Sequence, residues 1–264
     1  MGRLSTCWSD SLTRVTGAEL SSALVAAVRD AVAAGELSVT IPERAPLTWG
    51  GGAYSSPLAL RLAARAGRPA HEVAGVIAER LAMAPGVRRV DVTGPGFLTI
   101  TERAPGALAA AIVAAGERYA RAELPVPGTR WPDRPRTFGN PGFCVRFAYS
   151  RAAAIGRRAR DLRIERADPG PLNEPPEIRL LGLLAELPSR AGQAERERDA
   201  DPLKRQLERI ADVYHDVYER CPALPVGDEE PTRAHGARLT LAEAVRISLD
   251  NGLHTLGETP RELL

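Results

Sequence analysis

Pro125, Pro127, Pro132, Pro135 and Pro141 fall within a single short stretch, residues 122–142. Proline lacks an N–H and has a fixed φ, so a segment this dense in it cannot continue a helix or sit inside a sheet. The stretch reads as a semi-rigid linker over residues 122–139. It separates a segment at 1–121 from one at 140–264, and 264 residues suffice for two domains. Fully extended, such a linker spans at most about 60 Å.

The first segment mixes helix and strand patterns. Thr16 and Glu19 fit a capping box, and Leu20, Leu24, Val28 and Val32 recur every fourth residue, which predicts a helix over 16–34 ended by Gly35. Leu37–Ile41 is a short strand candidate, and 43–55 reads as a Gly-rich loop. Ser56-Pro57 starts a helix to Ala66, and a further helix is expected from about Pro69 to Met83. Val87–Val92 and Phe97–Thr101 flank Gly94-Pro95-Gly96, a strand–turn–strand pattern, and an Ala-rich helix is expected over 105–121.

Beyond the linker the pattern is helical throughout. Helices are expected near 142–160, 176–187, 202–220 and 240–254, with a looser one near 189–198. Thr240 and Glu243 form a second capping-box pattern. The expected fold class is therefore mainly α: a small α+β domain followed by an all-α helix bundle.

Charge is unevenly spread. Residues 130–168 carry 10 basic and 4 acidic groups, whereas 169–264 carry 12 and 18. Clustering of positive charge makes an electrostatic footprint for an anionic partner, while the acidic last third weakens non-specific attraction to phosphate. Cys7, Cys144 and Cys221 have no metal-type spacing, so reduced thiols, no bound metal and no cofactor are expected. No apolar run reaches the length of a membrane span, and the early residues lack a signal-peptide core, which gives a cytoplasmic expectation.

Four stretches, in order, resemble arginyl-tRNA synthetases. Gly52-Ala53-Tyr54-Ser55-Ser56-Pro57 with Gly94-Pro95-Gly96-Phe97-Leu98-Thr99-Ile100 is similar to the N-terminal additional domain of that family. Gly139-Asn140-Pro141 through Phe147-Ala148-Tyr149-Ser150-Arg151 resembles the segment leading into its anticodon-binding bundle. Tyr214 through Tyr218-Glu219-Arg220-Cys221-Pro222, and Arg238–Arg246 to Asn251-Gly252-Leu253, resemble later helices of its DALR anticodon-binding domain. In this family a catalytic domain lies between the first and second stretches, where this chain has the Pro-rich linker. Neither a His-x-Gly-His motif nor a Lys-Met-Ser-Lys-Ser-like loop occurs, and Lys204 is the one lysine. The resemblance thus implies a non-catalytic chain. Ala53 and Pro57 depart from the acidic residue and Asn common at those places in the family.

The resemblance implies tRNA, arginine tRNA above all, as partner. The candidate tRNA-binding residues are Tyr54, Arg146, Phe147, Tyr149, Arg151, Arg157, Arg158, Tyr214 and Tyr218. Arginine suits phosphate because its planar fork pairs bidentately, and tyrosine rings stack on unpaired bases. For Tyr214 and Tyr218 core packing is the favoured alternative, with Tyr218 the more buried. Phe147 and Tyr149 face the same choice evenly, and His215 is expected at a surface edge. Trp131 is either an exposed stacking residue or a clasp. The competing function is a protein–protein module that binds a synthetase or a biosynthetic enzyme and no longer touches RNA.

Overall fold

The structure is a computed structural model that describes residues 17–50, 52–122, 131, 132 and 134–263. Among these are eight α-helices and four short strands. Contacts divide the chain into two compact units, one holding residues up to 46 and 56–103, the other 47–55 and 104–264.

The first unit contains α1 (Gly17–Ala33), α2 (Leu58–Ala66), α3 (Ala70–Leu81) and the strands β3 (Val87–Thr93) and β4 (Phe97–Glu102). The i, i+4 stripe of α1 is buried at Leu20, Leu24 and Val28, against a core that also holds Val73, Ile77 and Leu81 of α3 and Leu98 and Ile100 of β4. β3 and β4 pair antiparallel with Val90 opposite Ile100 and Thr93 opposite Phe97. Gly94 and Gly96 both take positive φ in the turn between them, as expected of that Gly-Pro-Gly sequence. Gly67 ends α2 in the left-handed conformation. The capping position Thr16 lies outside the described residues.

The second unit holds β1 (Thr48–Gly50), β2 (Ala53–Ser56, its last residue beyond the boundary), and α4 (Ala107–Ala115), α5 (Pro141–Asp161), α6 (Pro175–Glu197), α7 (Asp201–Arg220) and α8 (Arg233–Thr255). Its core is built from Val145, Leu180, Leu184, Leu207, Ile210, Val245 and Leu249, among others.

Several expectations are corrected. Leu37–Ile41 forms no strand, although Leu37 is buried. The Gly-rich stretch 43–55 is not all loop: β1 and β2 pair there with Trp49 opposite Tyr54. The hairpin is held from outside, because Gly182 of α6 lies so close to the Trp49 indole that a Cβ there would overlap it. The unit boundary falls after Arg103 and not near 121. Ala109 and Ile112 of α4 bury their small apolar faces in the bundle core, so that helix belongs with α8. The two expected helices near 176–187 and 189–198 are one helix, α6, running through Pro188.

α8 begins a full two turns before the expected start. Its N-cap is Thr232, whose hydroxyl accepts from His235 N while His235 Nδ1 accepts from Thr232 N. Thr240 is mid-helix, and its hydroxyl donates to Ala167 O at 2.7 Å. Trp131 is buried in the bundle core, which removes the exposed-stacking reading. No helix among the described residues is long and apolar enough to cross a membrane.

Candidate nucleic-acid interface

Helix α5 is started by local chemistry. Asn140 caps it, its Oδ1 accepting from Gly142 N at 3.1 Å, and Pro141 occupies the first turn where its missing N–H costs nothing. The other end of the Asn140 amide donates to the carbonyls of Pro132 at 3.1 Å and Pro135 at 3.0 Å. That pins the chain ahead of α5, and with it Phe138, against the first turns of the helix. The Cys144 thiol adds a bond to Phe138 O at 3.1 Å.

The result is an aromatic cluster around one guanidinium. Phe143 and Phe147, one turn apart on α5, stack with centroids 5.5 Å apart and planes 11° apart. Phe138 meets Phe147 edge-on at 5.7 Å and His215 of α7 edge-on at 5.2 Å. The Arg151 guanidinium carbon lies 4.6 Å from the Phe147 centroid and 4.3 Å from that of Tyr218. Both contacts are within cation–π range. Phe138 stays 61% exposed, so a large apolar ring is presented to solvent beside a charge. Phe143, Phe147, Arg151 and Tyr218 are half-buried.

Arg151 Nη1 lies 3.2 Å from His215 Nδ1. A guanidinium has no lone pair to offer, so Nδ1 is the acceptor and the ring proton sits on Nε2. Burial and then the Arg151 charge hold the His215 pKa below its ordinary value, against the opposing pull of the Cys144 backbone, Asp212 and Glu219. The ring is therefore neutral where an ordinary histidine begins to charge.

The expected site residues separate into three groups. Phe147, Arg151 and Tyr218 are brought together in this cluster, and Arg158 lies seven residues beyond Arg151 on the same helical stripe, exposed. Arg157 is half-exposed and its Nη1 donates to Glu262 Oε2 at 2.7 Å.

The remaining four are buried. Arg146, at 8% exposure, donates to Gly142 O, Trp131 O and Glu258 Oε2, so its charge is spent inside the bundle and is not presented to a phosphate. Tyr149 packs in the core near Arg246. Tyr214, and not Tyr218, is the more buried of its pair, at 2%, and burial pushes its phenol far above the ordinary range. Tyr54 is buried edge-on to Trp49, centroids 4.6 Å apart. In this structure none of these four rings or charges faces solvent.

Phe138, Phe143 and His215 were not among the expected residues. The Phe143–Phe147 spacing was visible as an aromatic i, i+4 pair. Phe138 was not, because its place over α5 depends on the Asn140 amide. Among the described residues no group of three or more His, Cys, Asp or Glu could hold a metal ion.

The family described as "DALR anticodon binding domain" matches residues 145–263, which contain most of this cluster. The bundle is thus of the class that anticodon-binding domains define. The family described as "Arginyl tRNA synthetase N terminal domain" matches residues 18–101. The chain therefore carries both an N-terminal and an anticodon-binding domain of the arginyl-tRNA synthetase type, and is related to that family. The arginine–tRNA ligase of Frankia alni is 45% identical over 149 residues, covering 54% of this chain and 26% of the ligase. That of Clavibacter sepedonicus is 40% identical over 129 residues, covering 48% and 23%. The chain spans about a quarter of the length of these relatives, and only residues 102–144 separate its two matched domains.

Proposed function

We propose that this chain is a non-catalytic tRNA-binding protein, with arginine tRNA as its target, acting as an accessory or regulatory factor in the cytoplasm. The observation that supports this most is the cluster in which the exposed Phe138 and the half-buried Phe143 pack on Phe147, itself against Arg151. Unpaired bases stack on aromatic faces, and a guanidinium beside them adds a positive charge for the RNA backbone. The cluster sits on a bundle of the anticodon-binding class, where single-stranded bases are the natural ligand. The choice of arginine tRNA rests on the relatives' names, and the non-catalytic role on the absence of the His-x-Gly-His and Lys-Met-Ser-Lys-Ser motifs.

The test is binding of transcribed arginine tRNA and of unrelated tRNAs across a salt series. Binding that favours arginine tRNA and weakens as salt rises supports the reading. No binding at low salt, together with recovery of a synthetase or biosynthetic enzyme as partner, replaces it with the protein–protein alternative.

A further inference from the structure

The stripe of α5 that carries Arg146, Ser150 and Arg157 is covered by the segment that follows α8, residues 256–262. The two ends of this strap are held very differently. At its root, Glu258 Oε2 accepts from Arg146 at 2.9 Å and Oε1 from Trp131 N at 3.2 Å, with the Arg146 and Glu258 side chains only 9% and 17% exposed. At its tip, Glu262 Oε2 accepts from Arg157 at 2.7 Å and its carbonyl from the Ser150 hydroxyl at 2.8 Å, with the Arg157 and Glu262 side chains 32% and 55% exposed. An enclosed, multiply bonded pair is costly to break, whereas a solvated ion pair contributes little and is screened by salt. The root is an anchor and the tip is labile.

The tip also borders an open groove beside α5, of roughly 670 Å³, with Ala152 and Gly156 on its floor and Arg160 and Arg166 on its rim. Within the groove Arg166 and Arg246 lie 3.7 and 2.9 Å from Glu243, and Glu165 also lines it, whereas Arg157 is held by Glu262 itself. A carboxylate and a phosphate engage the guanidinium fork in the same way.

We propose that Glu262 occupies, on Arg157, the position of an RNA phosphate, so that an RNA strand lying along this face displaces the tip of the strap while Glu258 keeps its root in place. Glu262 then acts as an internal competitor that lowers affinity for RNA and narrows binding to ligands able to displace it. This rests on the RNA-binding reading above.

The experiment compares the wild-type chain with Glu262→Gln, Arg157→Gln and the double variant, using transcribed arginine tRNA in a salt series. Glu262→Gln is expected to bind about three- to tenfold more tightly, with a salt slope steeper by about one released counterion. In the Arg157→Gln background the same change is expected to have no effect, since the competed charge is gone. Unchanged affinity of Glu262→Gln, or an equal gain in both backgrounds, overturns the proposal while wild-type binding leaves the RNA-binding reading standing. Absence of binding by all four proteins at low salt overturns both.

Discussion

The hydroxyl of Tyr119 donates to the carbonyl oxygen of Leu184 at 2.6 Å. Leu184 lies four residues before Pro188, so its carbonyl is the one that loses its helical donor where proline interrupts the ladder of α6. Tyr119 supplies the missing bond from outside the helix, and Asn251 of α8 holds it there by donating to Tyr119 O at 2.8 Å and Gly116 O at 3.0 Å. Removing the hydroxyl strands a buried acceptor, so Tyr119→Phe is expected to cost about 1–3 kcal/mol in urea unfolding. Adding Pro188→Ala to that variant restores an N–H and should recover most of the loss. Equal destabilisation in both backgrounds would show that the proline and the tyrosine are independent.

Arg238 Nε donates to Glu177 Oε1 at 2.7 Å, joining α8 to the first turn of α6. Glu177, 1% exposed, also accepts from Asn173 N and Glu174 N at 3.0 Å through its other oxygen. Removing one partner of a buried pair leaves the other uncompensated, so Glu177→Ala should lose about 3–5 kcal/mol, read as a lower urea midpoint. Glu177→Gln keeps the oxygen and should lose less.

Gly182 has no room for a side chain beneath Trp49. Gly182→Ala forces the indole aside or opens the β1–β2 hairpin, at a cost of about 1–3 kcal/mol. Tryptophan fluorescence should shift toward that of a solvated indole. An unshifted spectrum at unchanged stability would sink this account of the hairpin.

Phe138→Ala removes an exposed ring and should leave the melting temperature nearly unchanged while costing about 1–3 kcal/mol of RNA affinity, the worth of one stacked base. Tyr214→Phe makes the opposite kind of control. Its buried hydroxyl has no hydrogen-bond partner in the structure, so deleting it should be neutral or stabilising and should leave RNA affinity as it is.

Burial pushes the Glu102 carboxyl from 4.5 up to about 8. Between those two values the folded chain keeps a proton that the unfolded chain releases. Stability is therefore fully present below about 4.5, falls as pH rises toward about 8, and is flat above it, by an amount on the order of a few kcal/mol. Glu102→Gln should flatten that slope and be the more stable protein at alkaline pH, as measured by urea midpoints across the window.

The sequence alone determined the features that depend on near neighbours. The stripe of α1, the Gly94–Gly96 turn between β3 and β4 and the mainly helical second half all follow from spacing and from glycine or proline geometry. Phe147, Arg151 and Tyr218 were each legible as candidates, but Tyr218 stands on α7 and meets the Arg151 of α5 only through the packing of the bundle. Tertiary structure decided what depends on distant groups. Pro188 predicts a break in α6 unless Tyr119 is known to satisfy Leu184. Trp49 sits in a loop-like sequence until Gly182 gives its ring a place. Arg146, Arg157 and Arg158 are identical residues within about three and a half turns of one helix. Only the fold buries the first against Glu258, ties the second to Glu262 and leaves the third in water, because a side chain's charge is set by its sequence but its availability by what the folded chain places against it.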